Sequence, residues 1–143
     1  MSERPWTARI ARVGVHSMEV FPRTILPTAE ITLHYPSDDT VPLTDIRGDR
    51  VGTVLHVQMT AHWLYAFGFV TDTAIARGMN HGRLAPDFAL LGGRMSSQPS
   101  GVRHITAGRI SLIRALPNPQ YLPGQTALWA GLKFTTESTE GAL

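Results

Sequence analysis

The chain of 143 residues contains no cysteine, a single lysine and no long apolar run. The lack of cysteine excludes disulfide bonds and thiolate metal ligands. No segment approaches the roughly eighteen consecutive apolar residues that a membrane-spanning helix requires, so we expect no membrane association. The first nine residues, MSERPWTAR, have no apolar stretch of the secretory type, and we therefore expect no secretory signal.

Charge is sparse and scattered along the sequence. The net charge is +2, with 43% hydrophobic and 17% charged residues, which is typical of one globular domain and not of a disordered chain. Every basic residue except Lys133 is an arginine, and the arginines are interleaved with Asp and Glu. Nucleic-acid-binding domains concentrate positive charge on one face, so nucleic acid is not the expected partner.

Sequence patterns for metals and cofactors are also missing. None of the six histidines has a second histidine at a spacing suited to joint metal ligation on a strand or helix. His56 and His62 could approach each other across a hairpin, but two ligands do not make a zinc site. A P-loop, a dinucleotide fingerprint and a G-x-S-x-G elbow are absent too, so we expect no metal and no cofactor. The histidines are His16, His34, His56, His62, His81 and His104.

Alternation of apolar and polar residues dominates the sequence and predicts strands. The predicted strands are 7–15, 28–35, 88–91, 103–115 and 127–134. Segments rich in Gly, Pro and Ser predict a turn at 36–39, a long loop at 94–101 and irregular structure at 116–124.

A long β-hairpin is predicted from residues 51–59 and 62–70, joined at Thr60 and Ala61. In its first arm Leu55, Val57 and Met59 should share one face, opposite Val54, His56 and Gln58. In its second arm Trp63, Tyr65, Phe67 and Phe69 share a face. Such an aromatic row is typical of a core or an interface and not of a cofactor site.

A short helix is expected after the hairpin, beginning at Asp72 or Thr73, because either side chain can cap free N–H groups. Gly78 and Gly82 bracket its end. The predicted fold is therefore mainly β (α+β), a small antiparallel β-barrel or sandwich with one or two short helices. We expect an N-terminal arm at 1–7, a single domain at 8–134 and a flexible tail at 135–143.

Ser96 and Ser97 are the serines in the most site-like setting, the glycine-rich segment GGRMSSQPSG. An attacking serine needs a general base and donors for the oxyanion. His104 or His81 could supply the base, and the backbone of Gly92 and Gly93 the donors. The same composition is also what an ordinary surface loop contains.

Three ordered segments resemble the prohead protease family of tailed phages, which shares its fold with herpesvirus assembly proteases. TVPLTDIRGDRVGTVLHV (40–57) is similar to the family's apolar strand, polar loop and V/I-G-x-V strand. WLYAFGFV (63–70) resembles the next strand, which leads into a helix. GRISLIRALPNPQYLPG (108–124) resembles the late E-x-S-L-V strand with its P-x-N-P turn, and together the segments cover about residues 8–122.

The departures from the family concern the catalytic residues. The family's histidine precedes the V/I-G step, where this chain has Asp45, Ile46, Arg47 and Gly48. Its serine stands two residues before a glycine, where this chain has Leu90 or Leu91. His104 falls near the position of the third member, which performs no chemistry alone. The resemblance thus implies a protease-like domain without catalytic residues.

The expected function is that of a non-enzymatic virion structural protein, a capsid decoration, cement or minor head protein. Its partner would be the major capsid protein, bound as a homo-oligomer or in many copies on the lattice, in the virion and in the host cytoplasm during assembly. One alternative is an active serine prohead protease that uses displaced Ser96 or Ser97 with His104. Another is an unrelated small β-barrel whose aromatic residues bind a partner or an oligosaccharide; that platform would comprise Trp63, Tyr65, Tyr121 and Trp129.

Overall fold

The computed structural model describes residues 3–14, 24–25, 30–33, 40–97, 103–117 and 132–136. Within these ranges the chain forms nine strands and one helix. In chain order they are β1 (Arg4–Arg12), β2 (Thr24–Ile25), β3 (Glu30–Leu33), β4 (Val41–Thr44), β5 (Arg50–Met59), β6 (Trp63–Val70), α1 (Thr73–Asn80), β7 (Leu84–Ser97), β8 (Arg103–Pro117) and β9 (Lys133–Thr136).

The strands form one curled, mixed sheet that closes about half of a barrel, and the predicted mainly β fold with a short helix is confirmed. Its path is β2-β8-β4-β5-β6-β1-β9, and β3 and β7 also pair with β8. Among the described strands, five pairs are antiparallel: β1 with β6, β1 with β9, β4 with β5, β5 with β6 and β7 with β8. In addition, β2, β3 and β4 run parallel to β8, which makes β8 the strand that joins the parallel and antiparallel parts.

The hydrophobic core lies on the concave side of the curled sheet, beneath α1. Its fully buried large side chains include Trp6 and Ile10 from β1, Leu64 from β6 and Ile113 from β8. Removing a Leu or Ile side chain of this kind from water contributes roughly 1.5–3 kcal/mol. Met79 of α1 belongs to the same cluster, so the helix covers the core from the inner side.

Helix α1 begins where its capping residue predicts. Asp72 has an extended backbone, and its carboxylate accepts a 3.0 Å hydrogen bond from the Ile75 N–H. After the last turn Gly82 adopts a φ of 70°, a left-handed conformation that favours glycine, and the chain reverses there. The Arg83 N–H then donates back to the Gly78 carbonyl at 2.9 Å. The predicted helix is confirmed.

The folded domain extends beyond both predicted boundaries, residues 8 and 134. Strand β1 begins at Arg4, and Trp6 is only 1% exposed because its ring packs edge-on against Phe134. Residues 4–7 therefore belong to the core domain and not to an arm. Thr136, assigned to the tail, lies in β9, where its hydroxyl donates to the Asn80 side-chain oxygen at 2.9 Å.

The predicted loop at 94–101 is corrected over its first part, because β7 continues to Ser97. The glycines before it mark a bulge and not a loop. Between Leu91 and Arg94, β7 has one more residue than β8, and Gly92 has a φ of 60° there. Residues 98–101 lie outside the described part of the chain.

Two bulges on β8 change which of its side chains are buried. Ser111 and Thr106 are extra residues relative to β7, and their hydroxyls donate to the Ala89 and Arg94 carbonyls at 3.3 and 3.1 Å. The simple alternation of Ile110 with Leu112 is therefore interrupted. Ile110 and Ile113 are the buried pair instead.

Several predictions fall outside the described residues: the turn at 36–39, most of the irregular segment at 116–124, strand residues 127–131, and the side chains His16, His34, Tyr121 and Trp129. Where the chain is described, it forms no helix long and apolar enough to cross a membrane.

Candidate functional site: an outer aromatic face

The predicted hairpin is confirmed, but a bulge in its first arm changes the assignment of faces. Val54 pairs with Gly68 and His56 with Phe67, so Leu55 is an extra residue and 50% of it is exposed. Val57 and Met59 then point inwards together with Val54. The expected assignment of faces is therefore wrong for Leu55 and for Val54, because the bulge shifts the alternation by one residue.

The aromatic row on β6 lies on the outer side of the sheet. Along β6 the buried positions are Leu64, Ala66, Gly68 and Val70, whereas the four rings between them are half-buried. We call this surface the outer aromatic face. It comprises Trp63, Tyr65, Phe67 and Phe69 with their outward neighbours Thr7, Arg9, Arg12, His56, Gln58, Lys133 and Thr135.

The rings on this face are ordered by contacts across and along the strands. The His56 and Phe67 rings stack with centroids 5.8 Å apart and an interplanar angle of 28°. Tyr65 and Phe67 lie 6.4 Å apart at 29°. Nearly parallel, offset rings of this spacing attract one another and limit rotamer freedom. The side chains of this face are therefore already ordered, and less conformational entropy is lost when a partner binds to them.

Two arginines of β1 lie over the end of the aromatic row. The guanidinium carbons of Arg9 and Arg12 lie 4.8 and 5.2 Å from the centroid of the Trp63 ring. Register explains this, because Arg12 is directly opposite Trp63 and Arg9 is opposite Tyr65. Cation–π contacts of this kind are worth about 0.5–1 kcal/mol at exposed sites and more when a partner excludes water.

The window where the resembled family carries its histidine forms a tight turn between β4 and β5. The Asp45 carboxylate accepts hydrogen bonds from the N–H groups of Arg47 and Asp49 at 2.9 and 3.0 Å. Burial by itself raises the pKa of Asp45, but these two N–H donors and the Arg47 guanidinium outweigh it and hold the pKa below its ordinary value. Asp45 therefore orders the turn as a carboxylate.

The positions that correspond to the family's serine lie in the middle of β7. Leu90 is half-buried against the core, and 43% of Leu91 is exposed. Strand β8 lies between β7 and β4, so these leucines are at least two strand spacings, roughly 10 Å, from the Asp45 turn.

The alternative pair, Ser96 and His104, is brought together by the β7–β8 ladder. The two residues are directly opposite each other, which places Cβ atoms about 4.5–5.5 Å apart. Ser97 is opposite Arg103 instead. Gly92 and Gly93 precede Ser96 by three to four residues of extended chain, about 10 Å, so they are too distant to serve as its oxyanion donors. His81 lies at the end of α1, not on this ladder.

The described histidines do not converge on a metal site. His56 contacts Phe67, and His62 lies in the turn before β6. In the described ranges no group of three or more His, Asp or Glu side chains is arranged to hold a metal ion.

Sequence reasoning identified the aromatic row but missed the cations that flank it. Arg9, Arg12 and Lys133 come from strands at opposite ends of the sequence, and they meet because β1 pairs with both β6 and β9. The spacing of two residues between Thr7 and Arg9 indicates that both side chains point to the same face of β1. It does not indicate which strands pair with β1, and therefore not which residues lie beside Arg9.

Comparison of this chain with protein-family models, with curated proteins and with solved structures found no match in any of the three. No family is therefore assigned to the chain.

Proposed function

We propose that this chain is a non-enzymatic structural protein of a phage virion that binds the major capsid protein through its outer aromatic face. It would act as a capsid decoration, cement or minor head protein. The observation that carries the proposal is the half-exposed row of four rings on β6 with two arginines stacked on Trp63. Interface centres are enriched in Trp, Tyr, Phe and Arg, and these residues supply most binding energy.

The identity of the partner rests on the three motifs that resemble prohead proteases. A domain of that origin would already be adapted to capsid assembly, and its surface could be retained after the catalytic residues were lost. On a symmetric lattice many modest contacts add through avidity, so each copy need not bind tightly. The protein would then be located on the virion, and in the host cytoplasm during assembly.

The proposal is tested with heads purified from the phage that encodes the chain. We expect the protein in mature heads in many copies, detected by quantitative mass spectrometry. The double variant Tyr65→Thr with Phe67→Thr should fail to cosediment with heads that lack the protein, because it removes two central rings while retaining strand-forming residues.

Ile46→Ser is the matched control, since Ile46 is 63% exposed but lies in the turn between β4 and β5. It should cosediment like the unaltered protein. Heads that contain none of the protein, or equal loss of binding in both variants, would contradict the proposal.

A second candidate function is that of a serine protease acting on capsid or scaffold protein. The cross-strand pairing of Ser96 with His104 favours it, because a nucleophile and a base must be neighbours. Incubation with the capsid protein decides between the candidates. Cleavage that is lost in Ser96→Ala and retained in Ser97→Ala would support the protease.

A further inference from the structure

The four strands that form the outer aromatic face contain cations but no acidic residue. Strands β1, β5, β6 and β9 include no Asp or Glu, although the chain has eleven. Their positively charged residues are Arg4, Arg9, Arg12, Arg50 and Lys133. The face is therefore positively charged even though the whole chain is nearly neutral.

The cations are concentrated on one side of the aromatic row. Lys133 is directly opposite Arg9, so β9 and β1 place three cations beside Trp63 and Tyr65. On the other side β5 presents the uncharged Thr53 and Gln58 beside His56, and near them the exposed Leu55 of the bulge. Arg50 lies at the start of β5, where its guanidinium bonds to the Gly52 carbonyl and the Thr53 hydroxyl. The face thus has a cationic side along β1 and β9 and, along β5 after Arg50, a side without formal cations on which Leu55 is exposed, with the rings of β6 between them.

No carboxylate within the described ranges pairs with Arg9, Arg12 or Lys133. The ion pairs there join Arg47 to Asp45 and Asp49, and Arg114 to Asp87. A partner that covers the face removes water from three cations at once. Such desolvation is unfavourable unless opposite charges replace the water, so a complementary partner must supply them.

We infer that the surface that covers the outer aromatic face is an acidic protein surface, with carboxylates over β1 and β9 and apolar side chains over the β6 rings and Leu55. This inference rests on the proposed function and specifies the chemistry of the partner. Guanidinium groups pair with carboxylates through two parallel hydrogen bonds, which fixes orientation as well as affinity. The exposed Leu55 and the rings favour a partner with an apolar part, and this distinguishes a protein from a phosphate backbone.

The first experiment measures binding to phage heads as the salt concentration rises. The double variant Arg12→Glu with Lys133→Glu alters two exposed cations of the face. Its matched control is Arg77→Glu with Arg83→Glu, which changes net charge equally at the end of α1, on the inner side of the sheet. We expect the face variant to bind at least about tenfold more weakly and the control to change by less than about twofold.

Binding of the unaltered protein should weaken with salt, whereas binding of the face variant should not weaken, because salt screens the repulsion between its new carboxylates and those of the partner. If the affinity for heads changes neither with the salt concentration nor with the charge reversal, the inference is wrong but the proposed function is not contradicted. Failure of the unaltered protein to bind heads at any salt concentration would overturn the proposed function instead.

The second experiment is independent of phage heads. A short peptide of alternating Glu and Leu should shift the NMR signals of Arg9, Arg12 and Tyr65, whereas a Lys and Leu peptide of equal length should not. Equal shifts with both peptides would overturn the inference. Single-stranded oligothymidine DNA is the third probe. If this DNA binds more tightly than the Glu and Leu peptide, and if Arg12→Glu with Lys133→Glu abolishes that binding, the inference of an acidic protein partner is wrong and nucleic acid is the partner instead.

Discussion

On strand β6 the smaller side chains are buried in the core, and the larger aromatic side chains lie on the outer surface. Side-chain size alone would suggest the opposite. The inward face has Leu64, Ala66, Gly68 and Val70, and all four are buried. The outward face has the four aromatic rings, and none of them is fully buried. A continuous row of half-buried rings is unfavourable on an isolated monomer and favourable on a protein whose surface is covered by a binding partner.

A glycine is needed at position 68 because the β5 backbone and the Trp6 side chain fill the space around it. A Cβ atom at Gly68 would collide with the Thr53 carbonyl oxygen and would lie 2.8 Å from the Trp6 ring. Trp6, whose ring packs against Phe134, occupies this part of the core, and Met79 of α1 belongs to the same cluster. The inner face of β6 therefore contributes to the stability of the core, and the outer face is the one for which we propose a binding role. Substitutions on the two faces can test this division.

The largest effect is expected for Gly68→Val on the inner face. The new side chain has no space between the β5 backbone and Trp6, so the variant should lose more than about 4 kcal/mol of unfolding free energy or fail to fold. Urea denaturation followed by circular dichroism measures this. Thr7→Val, on the outward side of β1 next to Phe67, is the control and should be nearly neutral. Equal stability of Gly68→Val and the unaltered protein would refute the close packing of Gly68 against the β5 backbone and Trp6.

Leu64→Ala should produce the next largest effect. Leu64 is fully buried, and its truncation leaves a cavity that costs about 2–5 kcal/mol. Binding to phage heads, measured below the unfolding temperature, should be retained because the rings on the other face remain. Loss of binding by a still-folded Leu64→Ala protein would break the division between the two faces.

The double variant Tyr65→Thr with Phe67→Thr should lose binding to heads and keep most of its stability, the opposite of what we expect for Leu64→Ala. These rings are only half-buried, so the free energy of unfolding should fall by roughly 1 kcal/mol for each. Head binding should nevertheless be lost. A decrease in stability as large as that of Leu64→Ala would mean that the outer rings are part of the core.

The turn between β4 and β5 allows a pH test of stability at a place outside the outer aromatic face. The pKa of Asp45 is lowered in the folded state, so its carboxylate stabilises the fold above about pH 4, the ordinary value, and this contribution is lost as pH falls through the lowered pKa. Asp45→Asn should lower the melting temperature at neutral pH, and the difference from the unaltered protein should shrink in acid. A difference that is constant with pH would contradict the assigned role.

The smallest effect is expected for Ser96→Ala on the β7–β8 ladder. Ser96 is exposed, so stability should change by less than about 0.5 kcal/mol and head binding should be unchanged. Differential scanning fluorimetry and cosedimentation measure the two quantities. If the unaltered protein cleaves the capsid protein and Ser96→Ala does not, the functional site is Ser96 with His104 and not the outer aromatic face.

Features that depend on neighbouring residues were predictable from the sequence. The hairpin of β5 and β6 follows from alternation on both sides of Thr60 and Ala61, and α1 begins at Asp72 because its carboxylate caps the first turn. The mainly β fold follows from the same alternation.

Features that depend on strand pairing were not predictable. Residues 94–97 have the composition of a loop, yet they extend β7 because β8 lies alongside them. The bulges at Leu55 and Ser111 arise from the pairing register and redirect the residues that follow. The pairing of β1 with β9, which brings Arg9 and Lys133 together, joins segments more than a hundred residues apart, and the pairing of β1 with β6 joins segments more than fifty residues apart.

The amino-acid sequence by itself determined that β6 has one aromatic and one aliphatic face, since successive side chains of any strand point to opposite sides. Only the tertiary structure decided which face became the core. Trp6 and Phe134, which pack together beneath Gly68, and Met79 on α1 come from distant parts of the chain and fill the inner side. Because that space admits no ring from β6, the aromatic row is left outside, where two arginines of β1 meet it.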